Sequence, residues 1–172
     1  MESMRGVYFL RHANLEGRCL LSVSKKLEEM GINLPTTRAP VANYVPAVVA
    51  GNLVFVSGHV PRDTNGNLII GKLGQDTSVE QGYEAARQAA LACLASLQAT
   101  IGDLDNIKQI VRLLCMVNCT TDFAQHPQVA NGASDLLVEV FGERGKHARA
   151  AVGMAALPLG VCFEMEMVVE TQ

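Results

Sequence analysis

The chain has 172 residues, 49% apolar and only 18% charged, with a net charge of −3 and no tryptophan. Its mean hydropathy is +0.19 and its pI about 5.8. Globular domains carry about 25% charged residues, so this chain is short of solvating side chains. Disorder is excluded, because low hydropathy and high net charge are both missing. A membrane helix is excluded too, since no run approaches roughly 18 uncharged apolar residues. The acidic balance argues against a sequence-independent grip on phosphate backbones, which needs clustered Lys and Arg. The length implies one domain. So much apolar surface in one domain needs a second hiding place, which predicts an oligomer.

In chain order, residues 1–18 fit no later pattern and are expected to be a mobile extension. Val7–Leu10 is too short for a secretory apolar core. Arg5, Arg11 and Arg18 hint at an organellar transit peptide, but Glu2 and Glu16 spoil it. Ser22 or Ser24 can cap a short helix over Lys25–Met30, which Gly31 ends. Pro35 and Pro40 then force an extended segment. Two β-like runs follow, Tyr44–Ala50 and Leu53–Ser57, joined by Gly51-Asn52, a strong hairpin signal. A second turn, Thr64-Asn65-Gly66-Asn67, precedes Leu68–Ile70.

Thr77-Ser78-Val79-Glu80 reads as a capping box opening a long helix that Gly102 stops. Tyr83, Ala86, Ala90, Leu94, Leu97 and Ile101 recur along it at helical spacing, and its many alanines let it lie close on a sheet. A long strand, Ile107–Cys119, comes next. Pro127 suits the first position of a second helix running to Phe141, with Gly142 as its stop. Asn131-Gly132 falls in its early turns, where both residues cost helix stability. The last strands are Ala150–Ala155 and Val161–Val169. This order predicts an α+β sandwich with one sheet and both long helices on one face.

Alternation along Ile107–Cys119 puts Val111, Leu113, Cys115, Val117 and Cys119 on one face. The other face carries Ile110, Arg112, Leu114, Met116 and Asn118. Both faces are mostly apolar, yet two helices cover only one side. The uncovered side, with some of Ile110, Leu114 and Met116, is expected to meet another subunit.

The five cysteines, 19, 93, 115, 119 and 162, are a poor disulfide framework. They predict a reducing, intracellular compartment. His12, His59, His126 and His147 are scattered singly, so no metal site is expected. Five positions could carry chemistry. Arg149, placed at a strand's first residue after Gly145-Lys146-His147-Ala148, has the planar fork that grips a carboxylate. From spacing alone, the simpler reading is a solvated loop arginine paired with a nearby acid. Glu164 and Glu166 share a strand face in Phe163-Glu164-Met165-Glu166-Met167. Such a pair can hold or activate a water if one is desolvated, or it is simply the polar face of an amphipathic strand. Tyr44 either lines a site or packs. Asn131 breaks helix propensity where functional sites often do so, or bonds to nearby backbone. There is no GxGxxG, P-loop, GxSxG or readable nucleophile–base pair. The basic cluster Arg144, Lys146, His147 and Arg149 lacks interleaved aromatics, which speaks against an RNA platform.

Several stretches together resemble the YjgF/RidA family of reactive intermediate deaminases. They are Ala39-Pro40 with Asn43-Tyr44, AGNLVFVSGHVP at 50–61, the helix after Gly74-Gln75-Asp76, ARAAVGMAALPLG at 148–160 and FEMEM at 163–167. The resemblance spans a family core of about 39–170 within a single domain over 19–172. LEEMGINLP at 27–35 looks like an N-terminally extended branch. The resemblance implies a cytoplasmic homotrimer with a chorismate-mutase-like fold and clefts between subunits. It implies hydrolysis of small 2-imino or enamine acids to 2-keto acids and ammonia, without a metal or organic cofactor. Small 2-imino and 2-keto carboxylic acids would be its partners, and neither nucleic acid nor membrane is expected. By the same resemblance Arg149 holds the substrate carboxylate and Glu164 positions or activates the water. Tyr44 and Asn131 line the cleft, and backbone groups at Ala150 and Ala151 can bind substrate or water. Where the best-known branch has Ser or Thr and then often Cys after the arginine, this chain has Ala150-Ala151. A non-catalytic carboxylate-binding regulator and a ribonuclease or translation inhibitor are the competing readings.

Overall fold

In the computed structural model, residues 22–37 and 43–172 are described. The expected N-terminal extension, Cys19, His12 and the Ala39-Pro40 pair lie outside them. A five-stranded mixed sheet forms the middle of the chain, in the order β1-β2-β5-β3-β4. Its strands are β1 (Ala47–Ala50), β2 (Leu53–His59), β3 (Ile107–Asn118), β4 (Ala148–Met154) and β5 (Phe163–Thr171). Neighbours are antiparallel except β3 and β4, which run parallel. Two long helices, α2 (Val79–Ile101) and α3 (His126–Phe141), pack on each other and cover one face. A short α1 (Val23–Glu29) docks at α3. The α+β class and the placement of the helices therefore follow the pattern reading. Among the described residues, no helix is long and apolar enough to cross a membrane.

The local signals explain most elements. Ser22 caps α1, its side chain accepting from the Lys25 amide. The Gly51-Asn52 turn closes the β1–β2 hairpin with Gly51 at φ +63°, a conformation glycine reaches without steric cost. The first strand is shorter than Tyr44–Ala50, because Pro46 has no N–H to give to the ladder and Tyr44 and Val45 precede it. The capping box of α2 sits one residue later than Thr77–Glu80. Ser78 is the N-cap, and Gln81 closes the box back onto the Ser78 amide. Gln81 serves as well as a glutamate in that role. Leu68–Ile70 makes only isolated bridges, Arg62 with Leu68 and Ile70 with Val161. The last strand starts at Phe163 rather than Val161, after a turn in which Leu159 takes φ +57°.

One expectation about the sheet faces is overturned. Ile110 is fully buried beneath the helices, together with Ile107, Leu113, Cys115 and Val117. The register against β5 passes from Ile110–Val169 to Arg112–Val168, so Val111 is an extra, bulged residue. A bulge reverses the alternation on its N-terminal side. That is why Ile110 leaves the face it would share with Arg112, Leu114 and Met116. The bare face is still largely apolar: Val48, Phe55, Val168, Leu114, Met116, Val152 and Met154 share it with Arg112, Glu164 and Glu166. Phe55 is 47% exposed there.

Between the helices, Ala85, Ala86, Ala89 and Ala90 of α2 are fully buried. The helices approach closely at Gly132 of α3, where any Cβ would run into the Tyr83 carbonyl of α2. The Asn131-Gly132 cost to helix propensity therefore has a packing reason. Under the sheet end of α2, His59 Nδ1 lies 2.7 Å from the Ser57 carbonyl and Nε2 lies 2.7 Å from Ser96 Oγ. A carbonyl only accepts, so Nδ1 carries the proton and Ser96 donates to Nε2. Burial pulls the His59 pKa below 6.5, with the Ser57 bond opposing.

Two outcomes are expected. Gly132→Ala should lower stability by about 1–3 kcal/mol in denaturant titrations, because the helices must part. For His59, the unfolded chain binds a proton near 6.5 while the fold binds it only at lower pH. Stability should therefore fall as pH drops from about 7 toward about 5. His59→Gln, which cannot titrate, should show a shallower fall in Tm over that range.

Candidate functional site

Arg149 is the second residue of β4, not its first, because the strand begins at Ala148. The parallel register sets Arg149 beside Leu113, Ala151 beside Cys115 and Gly153 beside Val117. These are the helix-covered positions of β3, so Arg149, Ala151 and Gly153 point toward α3. The Arg149 guanidinium is held in a fixed geometry. Nη1 donates to Asn131 Oδ1 at 2.9 Å and to Ser134 Oγ at 2.8 Å. Nη2 donates to the Pro127 carbonyl at 3.4 Å. All three acceptors are neutral and belong to α3. Among the described residues no carboxylate forms an ion pair with Arg149. The alternative of a loop arginine neutralised by a local acid does not describe this side chain. A half-buried, positioned and unneutralised guanidinium is suited to an incoming anion.

Ser134, a partner of Arg149, and His147, which bonds Ser134, were not among the candidate site residues read from the sequence. Ser134 lies three residues after Asn131, on the same helix face, so an i, i+3 search from Asn131 would have found it. His147 Nε2 lies 3.0 Å from Ser134 Oγ, and its Nδ1 lies 2.6 Å from the Gly145 carbonyl. Burial holds the His147 pKa below 6.5; the bond to Gly145 opposes this and the Arg149 charge adds to it. Ala151 is half-buried along the same line, leaving the space beside Arg149 without a hydroxyl or thiol. Further along, Cys119 Sγ lies 3.3 Å from His126 Nε2, and both crowd Gly153. Cys93, Cys115, Cys119 and Cys162 are buried and free. Burial raises Cys115 to about 11 against a small opposing pull from Arg149. Among the described residues no three metal-ligating side chains cluster.

Glu164 belongs to the other side of the sheet. Its neighbours Phe163 and Met165 are fully buried under the helices, so alternation sends Glu164 and Glu166 to the bare face. Glu164 is pushed above the usual glutamate value of 4.5, first by burial and then by the charge of Glu166. Its carboxylate occupies the space over Gly58 that a side chain there would fill. Ser57 Oγ donates to the Val45 carbonyl at 2.7 Å, which ties the segment carrying Tyr44 to the end of β2. Tyr44 itself is 54% exposed. Within the chain, then, Arg149, Asn131 and Ala151 come together on one side of the sheet. Glu164 and Gly58 lie on the other, with the Tyr44 segment tied to the adjacent strand. A separate cleft of about 370 Å³, lined by Ile70, Lys72, Asp76, Thr77, Asn118 and Leu159 among others, includes none of these residues.

Comparison with known proteins identifies the family and fold. A family model described as "YjgF/chorismate_mutase-like, putative endoribonuclease" matches residues 24–170. Protein TCP17 of Trypanosoma cruzi is 44% identical over 149 residues, covering 86% of this chain and 93% of that protein. A crystal structure of protein Atu1372 from Agrobacterium tumefaciens, of unknown function, is 38% identical with a TM-score of 0.81, over 87% of this chain and 92% of that one. A Shewanella oneidensis MR-1 structure, described as a putative endoribonuclease, is 36% identical with a TM-score of 0.84, over 87% and 99%. The chain belongs to the YjgF family and has its chorismate-mutase-like fold.

Proposed function

We propose that the protein hydrolyses small 2-imino and enamine acids to 2-keto acids and ammonia, in clefts formed between the subunits of a homotrimer. The observation that carries this reading is Arg149: a guanidinium fixed by three neutral acceptors and paired with no acid. Its fork takes the substrate carboxylate, which orients the adjacent imine carbon for attack. Glu164, desolvated on the bare face, is the matching base. It takes one proton from the water as the oxygen adds to the imine carbon and gives it to nitrogen. It then takes the carbinolamine hydroxyl proton and gives it to nitrogen as C=O forms, the C–N bond breaks and ammonia leaves. Because Arg149 and Glu164 lie on opposite sides of the sheet, a working site takes Arg149 from one copy and Glu164 from the next. Tyr44, close to Glu164's side of the sheet, and Asn131, beside Arg149, then line the two walls of the cleft.

The bare apolar face supports the assembly. Val48, Phe55, Leu114, Met116 and Val152 give a copy something to bury, and the chain's low charge leaves few residues to solvate them. In a cyclic arrangement each copy offers one patch to a different patch on its neighbour, so every interface is the same. A second reading, carboxylate capture without turnover, is favoured by Ala150 and Ala151, which bring no hydroxyl or thiol to the anchor.

The test is subunit complementation. With 2-aminoacrylate generated in situ and keto-acid release followed, Arg149→Ala should lose roughly 30- to 150-fold in kcat/KM, the scale of a lost charge-assisted pair. Arg149→Lys should recover only part of it. Unfolding and co-refolding Arg149→Ala with Glu164→Gln in equal amounts should restore about one quarter of wild-type activity, the share of interfaces joining two intact halves. No restoration would refute the shared cleft. Keto-acid binding without turnover in the wild type would favour capture, and RNA cleavage kept in Arg149→Ala would favour a nuclease.

The pH profile gives a second check. Glu164 must be ionised to act as base, and its pKa is raised, so kcat should climb with pH through a midpoint above 4.5. Glu166→Gln removes the neighbouring charge and should move that midpoint down.

A further inference from the structure

Arg149's hold on Ser134 depends on which way the serine hydroxyl points, and the surrounding bonds settle this. The Gly145 carbonyl can only accept, so the proton on the His147 ring sits on Nδ1, 2.6 Å away. In the neutral ring Nε2 is then an acceptor. Ser134 has one proton, and at 3.0 Å it donates that proton to Nε2. Both lone pairs of Ser134 Oγ are left facing away from the ring, and Arg149 Nη1 donates into them at 2.8 Å. The chain of donors therefore runs one way: Arg149 to Ser134 to His147 to the Gly145 carbonyl.

We infer that His147, acting through Ser134, is a positioning residue for the Arg149 carboxylate anchor. It keeps the Ser134 hydroxyl from turning its proton toward the guanidinium. With a hydrophobic side chain at 147, that hydroxyl is free to rotate. Arg149 then keeps Asn131 and the weaker Pro127 contact but loses a fixed acceptor on Nη1. This rests on the proposed reading of Arg149 as a carboxylate anchor, while the direction of the relay does not.

The local fold supports the assignment. Gly145 presses on the Leu137 carbonyl of α3 so tightly that no Cβ fits there. The carbonyl that chooses the His147 tautomer is thereby fixed to the same helix that carries Ser134 and Asn131. His59 shows the same wiring, with the Ser57 carbonyl on Nδ1 and Ser96 on Nε2. There the serine side chain hands nothing on to an arginine, so the pair serves as an internal control for a purely structural role.

The experiment uses the full-length protein labelled with nitrogen-15. Long-range nitrogen–proton spectra should show His147 protonated on Nδ1 and bare on Nε2. The Arg149 guanidinium NH signals should be resolved by restricted rotation in wild type and averaged in His147→Leu and Ser134→Ala. His147→Gln, whose Oε1 stands in for the Nε2 acceptor, should keep them resolved. Pyruvate, titrated as the carboxylate probe, should bind roughly 10-fold more weakly to His147→Leu and Ser134→Ala, with His147→Gln near wild type. His59→Leu should lower the Tm and leave the Arg149 signals and pyruvate affinity unchanged. The Nε2–H tautomer, or resolved Arg149 signals in His147→Leu, would overturn the inference. If pyruvate binds no form, including wild type, the carboxylate reading fails, and the tautomer and guanidinium spectra still decide the relay.

Discussion

Two helical backbones meet at Gly132 and Tyr83, and the geometry of the molecule depends on that meeting. With no side chain at Gly132 and a row of alanines opposite, α3 settles against α2 closely enough that a single methyl has no room. Interiors are packed to crystal-like density, so such a contact fixes the spacing of α3 from α2 within small limits. That spacing bears on where Asn131 Oδ1 and Ser134 Oγ, both on α3, meet the Arg149 guanidinium from β4. A glycine that weakens its own helix thus helps place the acceptors of Arg149, a local cost accepted for a tertiary gain.

A single copy presents an unusual division of charge. One side of its sheet holds a cation with neutral partners, and the other holds a carboxylate whose surroundings favour its protonated form. Neither is well served in isolation. Under the proposed reading each is completed by its neighbour, and the interface that hides the apolar face also brings opposite charges to one small ligand. Shortage of solvating residues and incompleteness of the site then have one cause.

How much of this was legible in the chain depended on whether the signal was local. Hairpin glycine, helix caps and strand alternation act within a few residues, and the elements they announce are present. The faces of β3 were misread at Ile110 because a bulge is a property of two paired strands, and nothing in Gln109-Ile110-Val111 announces one. Arg149 and Glu164 stood out by residue type, Asn131 by its conflict with helix propensity. Ser134 and His147 did not, because a serine in a helix and a lone histidine are common, and only the tertiary arrangement joins them. The opposite facing of Arg149 and Glu164 was implicit in alternation once both strands were aligned in one sheet, yet the order of strands was needed to see it.

The parallel pair β3–β4, with α3 crossing between them, has a consequence of its own. Pro127, Asn131, Ser134, Gly145, His147 and Arg149 all fall in the stretch between the start of α3 and the second residue of β4. Arg149 and its hydrogen-bond network are thus written in one short run of sequence, while the Glu164 side draws on β2 and β5, far apart along the chain. Loop closure is cheap in the first case and costly in the second. The surroundings of Arg149 therefore close over short stretches of chain and those of Glu164 over long ones, so a local opening can release the first group while the sheet still holds the second.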